Sequence, residues 1–208
     1  MSAPAIEVVV ARYREDVAWT ARLGLPVTIY DKSGAPGELA ALPNIGRESH
    51  TYLTHIVRRY DDLAACTVFV QGAPFEHMAP GTTPEDFAGR IRQNVRLGVQ
   101  FTGFAFFKLK CDALGRPHDL ADPARHGHRP GFGKDIPVGA VYERLFAGPV
   151  PETLLVTAPA GMLFVSRERI LARPLEFYRR ALAIVTADPD DAANTGHAFE
   201  RLWQVIFN

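Results

Sequence analysis

Residues 6–30 read IEVVVARYREDVAWTARLGLPVTIY and decide the fold of the chain. Ile6 to Ala11 is a β-branched run, which predicts a short strand buried on both faces. Glu15 to Leu23 places apolar side chains at helical spacing, and Val27 to Tyr30 supplies a second short strand after Pro26. The order strand, helix, strand predicts a β-α-β unit at this end of the chain.

The same alternation continues along the chain. Ser49 to Tyr60 has apolar side chains at helical spacing, and Cys66 to Val70 returns to strand character. Strands separated by helices predict one α/β domain over residues 1–208, with a mostly parallel central sheet and helices on both faces. Ligands of such sheets bind beyond the carboxyl ends of the strands, which here are residues 12–13, 31–32 and 71–72.

The second half of the chain is less regular. A long segment from Cys111 to Pro137 is rich in Gly, Pro, His and Asp without periodicity, and we interpret it as a candidate lid. Thr83 is the expected N-cap of a helix that begins at Pro84. The predicted elements are a helix to about Leu97, a strand-like run Phe101 to Leu109, a short helix Val138 to Phe146, a strand pair or bent strand Thr153 to Val165, and helices Pro174 to Val185 and Gly196 to Phe207.

Composition narrows the class of protein. The chain has 208 residues, is 47% hydrophobic, and carries 23 basic and 23 acidic side chains. The formal net charge is zero, which argues against a nucleic-acid partner, because nucleic-acid-binding proteins usually carry an excess of basic residues. Cys66 and Cys111 cannot form a disulfide framework, so we expect reduced thiols and a cytoplasmic location. Neither a signal peptide nor a membrane span is indicated.

Residues 42–56, LPNIGRESHTYLTHI, place polar side chains at a predicted helix start. Free backbone N–H groups at such an end attract anions, so the segment indicates an anion site. We assign Arg47 as an anion clamp, Glu48 as a ligand contact and His50 as a hydrogen-bonding or acid/base group. The alternative is that Asn44 caps the helix and the first-turn charges are solvated. His50 and His55 are five residues apart and do not form a joint metal site.

Two further groups follow the first two strands. Arg12 is suited to bind a phosphate through a bidentate pair of hydrogen bonds. Tyr13 is suited to stack on a ligand ring or to donate a hydrogen bond. Asp31 is suited to accept hydrogen bonds from hydroxyl or N–H groups of a ligand. The alternatives are a surface Arg beside a packed Tyr, and an ordinary turn Asp.

A third group follows the strand ending at Val70. Gln71 is a candidate ligand contact, Glu76 a candidate general base, and His77 a candidate phosphate or metal ligand. A polar loop without function is the alternative.

Two histidine groups lie later in the chain. His197 and Glu200 are about one helical turn apart near the last residues, and we assign His197 to ligand binding and Glu200 to catalysis, with a solvated helix face as the alternative. His126 and His128, with Asp119 and Asp122, would ligate a metal if their loop is ordered.

Several separated blocks resemble one family. They are residues 8–13 (VVVARY), 29–32 (IYDK), 42–53 (LPNIGRESHTYL), 68–72 (VFVQG) with Pro74, Phe75 and His77, 164–170 (FVSRERI) and 200–203 (ERLW). Together these blocks are similar to the bacterial and fungal family called domain of unknown function 3431, and the likeness runs over most of the chain. That family name implies no reaction.

The β-α-β start and the late block at Ser166, Arg167 and Glu168 also look like GT-A glycosyltransferases, which transfer sugars from nucleotide donors. The resemblance implies a GT-A/Rossmann-like architecture and a Mn²⁺ or Mg²⁺ cofactor held by an Asp-x-Asp motif after a central strand. This chain departs from that pattern, because Gln71 and the residues after it contain no such motif.

The leading hypothesis is therefore a glycosyltransferase-like protein that binds a nucleotide-sugar and transfers the sugar to an unknown acceptor. The donor pocket would contain Arg12, Asp31, Arg47, His50, Gln71 and Glu76. One alternative is a metal-assisted hydrolase that uses His50, His77 and the His126/His128 loop. Another is a carbohydrate- or nucleotide-binding protein without turnover.

Overall fold

The computed structural model of the protein describes residues 6–35, 37, 39–106, 108–119, 122–131, 133–157, 161–187 and 192–207. Its strands are β1 (Ile6–Arg12), β2 (Val27–Asp31), β3 (Ala40–Ala41), β4 (Cys66–Gln71), β5 (Phe101–Gly103), β6 (Lys108–Cys111), β7 (Leu154–Thr157) and β8 (Leu163–Ser166). Its α-helices are α1 (Arg47–Arg59), α2 (Pro84–Arg96), α3 (Val138–Leu145), α4 (Arg167–Leu171), α5 (Leu175–Thr186) and α6 (Ala192–Phe207).

Six strands form the central sheet in the order β3-β2-β1-β4-β8-β5, and β6 and β7 form a separate antiparallel pair. β1 pairs in parallel with both β2 and β4, and β2 pairs in parallel with β3. β8 runs antiparallel to β4 and to β5. The prediction of an α/β fold is confirmed, but the prediction of a mostly parallel sheet is wrong, because the sheet is mixed.

The prediction failed because the pattern of buried residues in a strand does not encode the direction of that strand. All four residues of β8 are buried, as expected for a strand covered on both faces. An apolar run of this kind satisfies a parallel or an antiparallel ladder equally well. Strand direction depends on where the preceding connection enters the sheet, and the side-chain pattern does not report that.

Helices cover both faces of the sheet. On one face, Val9 and Phe69 belong to the larger apolar core together with residues of α1, α3, α5 and α6. On the other face, Val8, Val10 and Phe164 pack in a second core that includes residues of α2. Successive strand residues alternate between the two cores, so β1 and β4 are apolar at nearly every position.

The predicted helix Glu15 to Leu23 is wrong in type and length. The chain forms only a 3-10 helix, Ala18–Arg22. The carboxylate of Glu15 accepts hydrogen bonds from the backbone N–H groups of Tyr13 and Arg14, and that of Asp16 accepts one from Ala18. Such local side-chain bonds compete with helical bonds and delay the first turn.

Two other predictions need correction. The run Phe101 to Leu109 is not one strand, since β5 belongs to the central sheet and β6 to the second sheet. The segment Thr153 to Val165 contains β7 and β8, which lie in different sheets and do not pair with each other. Apolar composition marks both segments as buried but does not choose their partners.

Helix predictions with clear end signals are confirmed. Thr83 caps α2 in a full capping box with Asp86, and Pro84 occupies the first turn. α1, α3, α5 and α6 lie where the sequence predicts them, within a few residues. Among the helices of the described residues, none is long and apolar enough to cross a membrane.

Candidate functional site

A cleft of about 270 Å³ opens at the carboxyl ends of β1 and β4. The chain passes from β1 outward to β2 and β3, and then crosses to β4 on the other side of β1. In open α/β sheets this change of direction leaves a crevice between the two strands, and ligands bind there. The residues that line the cleft are Ala11, Arg12, Tyr13, Glu15, Lys32, Asn44, Arg47, Glu48, Gln71, Ala73 and Glu76.

Most of the predicted ligand contacts meet in this cleft. Arg12 and Tyr13 arrive from the end of β1, Arg47 and Glu48 from the start of α1, and Gln71 from the end of β4, with Glu76 just beyond it. The predicted residues Asp31, His50, His77, His197 and Glu200 do not line it.

Asp31 orients Arg12 instead of facing the cleft. Arg12 Nη1 donates to Asp31 Oδ2 at 2.7 Å, and Arg12 Nε donates to the carbonyl of Glu15 at 3.0 Å. Burial acts to raise the pKa of Asp31, but hydrogen bonds from Ser33 and the Arg12 guanidinium outweigh it, so this pKa lies below its ordinary value. Asp31 is therefore ionised and fixes the guanidinium beside the cleft.

Lys32 is a cleft residue that the sequence analysis did not select. Its side chain is only 5% exposed, and Nζ donates to the carbonyl of Ile45 at 2.6 Å and to that of Arg47. Desolvation lowers the pKa of Lys32 to about 8, against the opposing effect of Glu48. The signal was present in the sequence, because Lys32 directly follows a predicted strand at the ligand-binding edge.

The start of α1 has an unusual backbone. Gly46 is the N-cap, and not Asn44 as in the alternative interpretation. Both Gly46 (φ 59°) and Arg47 (φ 50°) adopt left-handed conformations. A bulky residue rarely adopts this conformation, and such strain concentrates at functional sites. Gly196 on α6 packs so closely here that a Cβ at its position would lie 2.7 Å from the carbonyl oxygen of Gly46.

Glu48 is a buried residue of the cleft wall and belongs to a cluster of charged residues. Arg47 Nε lies 3.5 Å from Glu48 Oε2 and has no hydrogen-bond partner. On α6, the Glu200 Oε2 atom lies 3.4 Å from His197 Nδ1 and 3.6 Å from Arg201 Nη1. Desolvation, followed by the charge of Glu200, raises the pKa of Glu48. Burial and the neighbouring carboxylate of Glu200 therefore both disfavour the ionised form of Glu48.

The predicted pair His197 and Glu200 lies outside the cleft lining and acts on the cleft through the charge of Glu48. Both side chains are 15% exposed, and they act on the electrostatic environment of Glu48 without reaching the cleft surface. Helical spacing in the sequence correctly placed the two side chains together. It could not show that they face α1.

His50 is buried beside the cleft. It is 6% exposed, and its Nδ1 has no hydrogen-bond partner. Desolvation lowers the pKa of His50 to about 4, and the charges of Lys32 and Arg58 add to this effect. His50 is therefore neutral at physiological pH.

This burial gives a testable dependence of stability on pH. An unfolded histidine binds its proton near pH 6.5, whereas folded His50 binds it only near pH 4, so protonation between these values favours unfolding. We expect His50 to account for a loss of about 2 kcal/mol in the free energy of unfolding between pH 7 and pH 5. Urea unfolding of the protein and of His50→Gln at both pH values measures it. An equal loss in the two proteins would contradict the assignment.

The remaining predicted residues divide between cleft and periphery. Glu76 is exposed at the mouth of the cleft, while His77, the next residue in the 3-10 helix Pro74–His77, is half-buried and lies outside the lining. Glu15 is a cleft residue that sequence reasoning missed, because it lay inside a wrongly predicted helix. Its carboxylate is engaged by backbone N–H groups.

Histidine and acidic side chains of the described residues form no group of three or more that could hold a metal ion. In the predicted lid, His126 Nε2 lies 2.7 Å from the carbonyl oxygen of Asp119, and Arg125 pairs with the Asp119 carboxylate. Among the described residues, His50, His77, His126 and His128 do not come together as the predicted metal site. No described residue of the predicted lid lines the cleft.

The chain matches, over residues 8–208, the family described as "Protein of unknown function (DUF3431)". No curated protein and no solved structure matches it.

Proposed function

We propose that this chain, which belongs to the DUF3431 family, binds a nucleotide-sugar in the β1/β4 cleft and transfers the sugar to an acceptor. The observation that carries the proposal is the convergence of Arg12, Lys32 and Arg47 on one cleft from three separate segments. Clustered cations at the crevice of an α/β sheet are suited to a phosphorylated ligand.

The neighbouring residues supply the other contacts that such a ligand needs. Tyr13, 38% exposed, presents a ring on which a base can stack, and Gln71 supplies amide donors and an acceptor. The GT-A resemblance of the sequence points to the same ligand class, although the mixed sheet and the missing Asp-x-Asp motif set this chain apart from that pattern.

In this proposal Glu48 and Glu76, two of the three carboxylates that line the cleft, have different roles. Glu76 is exposed at the mouth, where it can accept the proton of an acceptor hydroxyl as the new glycosidic bond forms. The bond between the sugar and the donor diphosphate breaks in the same step, and the cations stabilise the negative charge of the departing diphosphate. Glu48 is buried in the cleft wall beside Arg47, where its carboxylate oxygens are suited to accept hydrogen bonds from hydroxyl groups of the ligand.

A thermal-shift screen of UDP-, GDP-, CDP- and TDP-sugars, each with and without Mn²⁺ or Mg²⁺, tests the proposal. A ligand at about 100 times its dissociation constant adds roughly 2.7 kcal/mol to the free energy of unfolding. For a chain of this size we expect the melting temperature to rise by several degrees with one nucleotide. No rise with any donor would overturn the proposal, and binding without product formation across many acceptors would identify a binding protein without turnover.

A further inference from the structure

A divalent metal is the cofactor that the GT-A resemblance implies, and the donor groups of this chain fit it poorly. Where that pattern places two aspartates after the central strand, this chain has Gln71, Gly72 and Ala73. Mg²⁺ and Mn²⁺ favour several oxygen ligands around one point, usually including carboxylates. The described residues contain no group of three acidic, His or Cys side chains with that geometry.

The three carboxylates that line the cleft do not combine into such a site. Glu15 is held by the N–H groups of Tyr13 and Arg14, at 2.7 and 3.2 Å from Oε2. Glu48 is buried, and its carboxylate faces the Arg47 guanidinium. Glu76 is left as a single exposed carboxylate at the mouth.

Positively charged side chains line the cleft in which a metal ion would have to bind. Arg12 is fixed by Asp31 with its side chain only 25% exposed, and Lys32 is fixed by two backbone carbonyls. The Arg47 Nε is buried without a hydrogen-bond partner. Glu48 Oε2 lies 3.5 Å from this nitrogen without accepting a hydrogen bond from it, so the donor is open to an anionic acceptor. A divalent cation placed among these three side chains would be repelled.

We infer that Arg12, Lys32 and Arg47 bind the donor diphosphate directly, and that these cations replace the divalent metal ion of the GT-A pattern. This inference rests on the proposed function and adds to it the way in which the phosphates are held. The Arg12 and Lys32 side chains are held in place by hydrogen bonds before the ligand arrives, which lowers the entropic cost of binding.

Isothermal titration of the full chain with inorganic pyrophosphate and with the four nucleoside diphosphates tests the inference, in EDTA and in Mn²⁺. We expect the dissociation constant to be the same in both buffers within about twofold. Lys32→Met should raise it about tenfold, because one charge-assisted contact is lost. Arg12→Gln gives a second reading if Lys32→Met folds poorly, and the exposed Lys108→Met, which lies outside the cleft, is the matched control.

The outcomes separate the inference from the proposed function. Nucleotide binding that appears only with Mn²⁺ would overturn the inference and leave the proposed function standing. Binding in EDTA that neither cleft variant weakens would also overturn the inference, since the cations would not be the contacts. No binding of any nucleotide in either buffer would overturn the proposed function itself.

Discussion

Replacement of Arg47 by alanine is expected to weaken nucleotide-sugar binding by about 100-fold. The guanidinium borders the cleft, and its buried Nε lies 3.5 Å from Glu48 Oε2 without forming a hydrogen bond. Two charge-assisted hydrogen bonds to phosphate, at roughly 1.5 kcal/mol each, correspond to about this loss of affinity. Titration of the protein and of Arg47→Ala with the donor found by thermal shift measures the effect.

The fold should tolerate this change. Alanine keeps the Cβ, so the left-handed backbone at residue 47 is no more strained than with arginine. Arg59→Ala is the matched control, because it removes the same charge from the same helix at an exposed ion pair with Asp62. Equal affinity for the protein and Arg47→Ala would remove Arg47 from the binding site.

Replacement of Gly196 by alanine is expected to lower the free energy of unfolding by about 2 kcal/mol. A Cβ at residue 196 would lie 2.7 Å from the Gly46 carbonyl oxygen and 2.9 Å from its carbon. Both are backbone atoms that cannot rotate away, so α1 and α6 must separate, which costs more than the gain in helix propensity. Thermal unfolding should show a fall of several degrees in the melting temperature.

Gly89→Ala provides the opposite case for comparison. Gly89 also lies within a helix, α2, but a Cβ there would meet no atom within 4 Å. We expect this variant to be more stable than the protein by up to about 1 kcal/mol, from helix propensity alone. Similar melting temperatures for Gly196→Ala and Gly89→Ala would show that the contact between α1 and α6 is not tight.

The fold was predictable where one local signal decides the structure. The β-branched run of β1 favours a strand buried on both faces, and Thr83 with Pro84 and Asp86 defines the start of α2. The direction of β8 and the separation of β6 from β5 depend on long-range connections. These features leave no periodic signal in the segment itself, so sequence reasoning could not supply them.

The residues of the candidate site were also predictable only where a local signal decides their position. The rule that ligands bind beyond the ends of strands predicted Arg12, Tyr13 and Gln71 correctly as cleft residues. It could not distinguish Asp31, which turns back to Arg12, from Lys32, which reaches the cleft. That difference is one of side-chain direction at the end of β2, where Arg12 and Ser33 hold Asp31 and the carbonyl groups of Ile45 and Arg47 hold Lys32.

The most direct test of the central claim is to locate the bound ligand by NMR. Titration of ¹⁵N-labelled protein with the nucleoside diphosphate that gives the largest thermal shift reports which backbone amides change environment. We expect the largest changes at Arg12, Lys32, Arg47 and Gln71, around the β1/β4 cleft. Changes concentrated instead at the apolar groove beside Cys66, Val99 and Leu171 would show that the ligand binds outside this cleft.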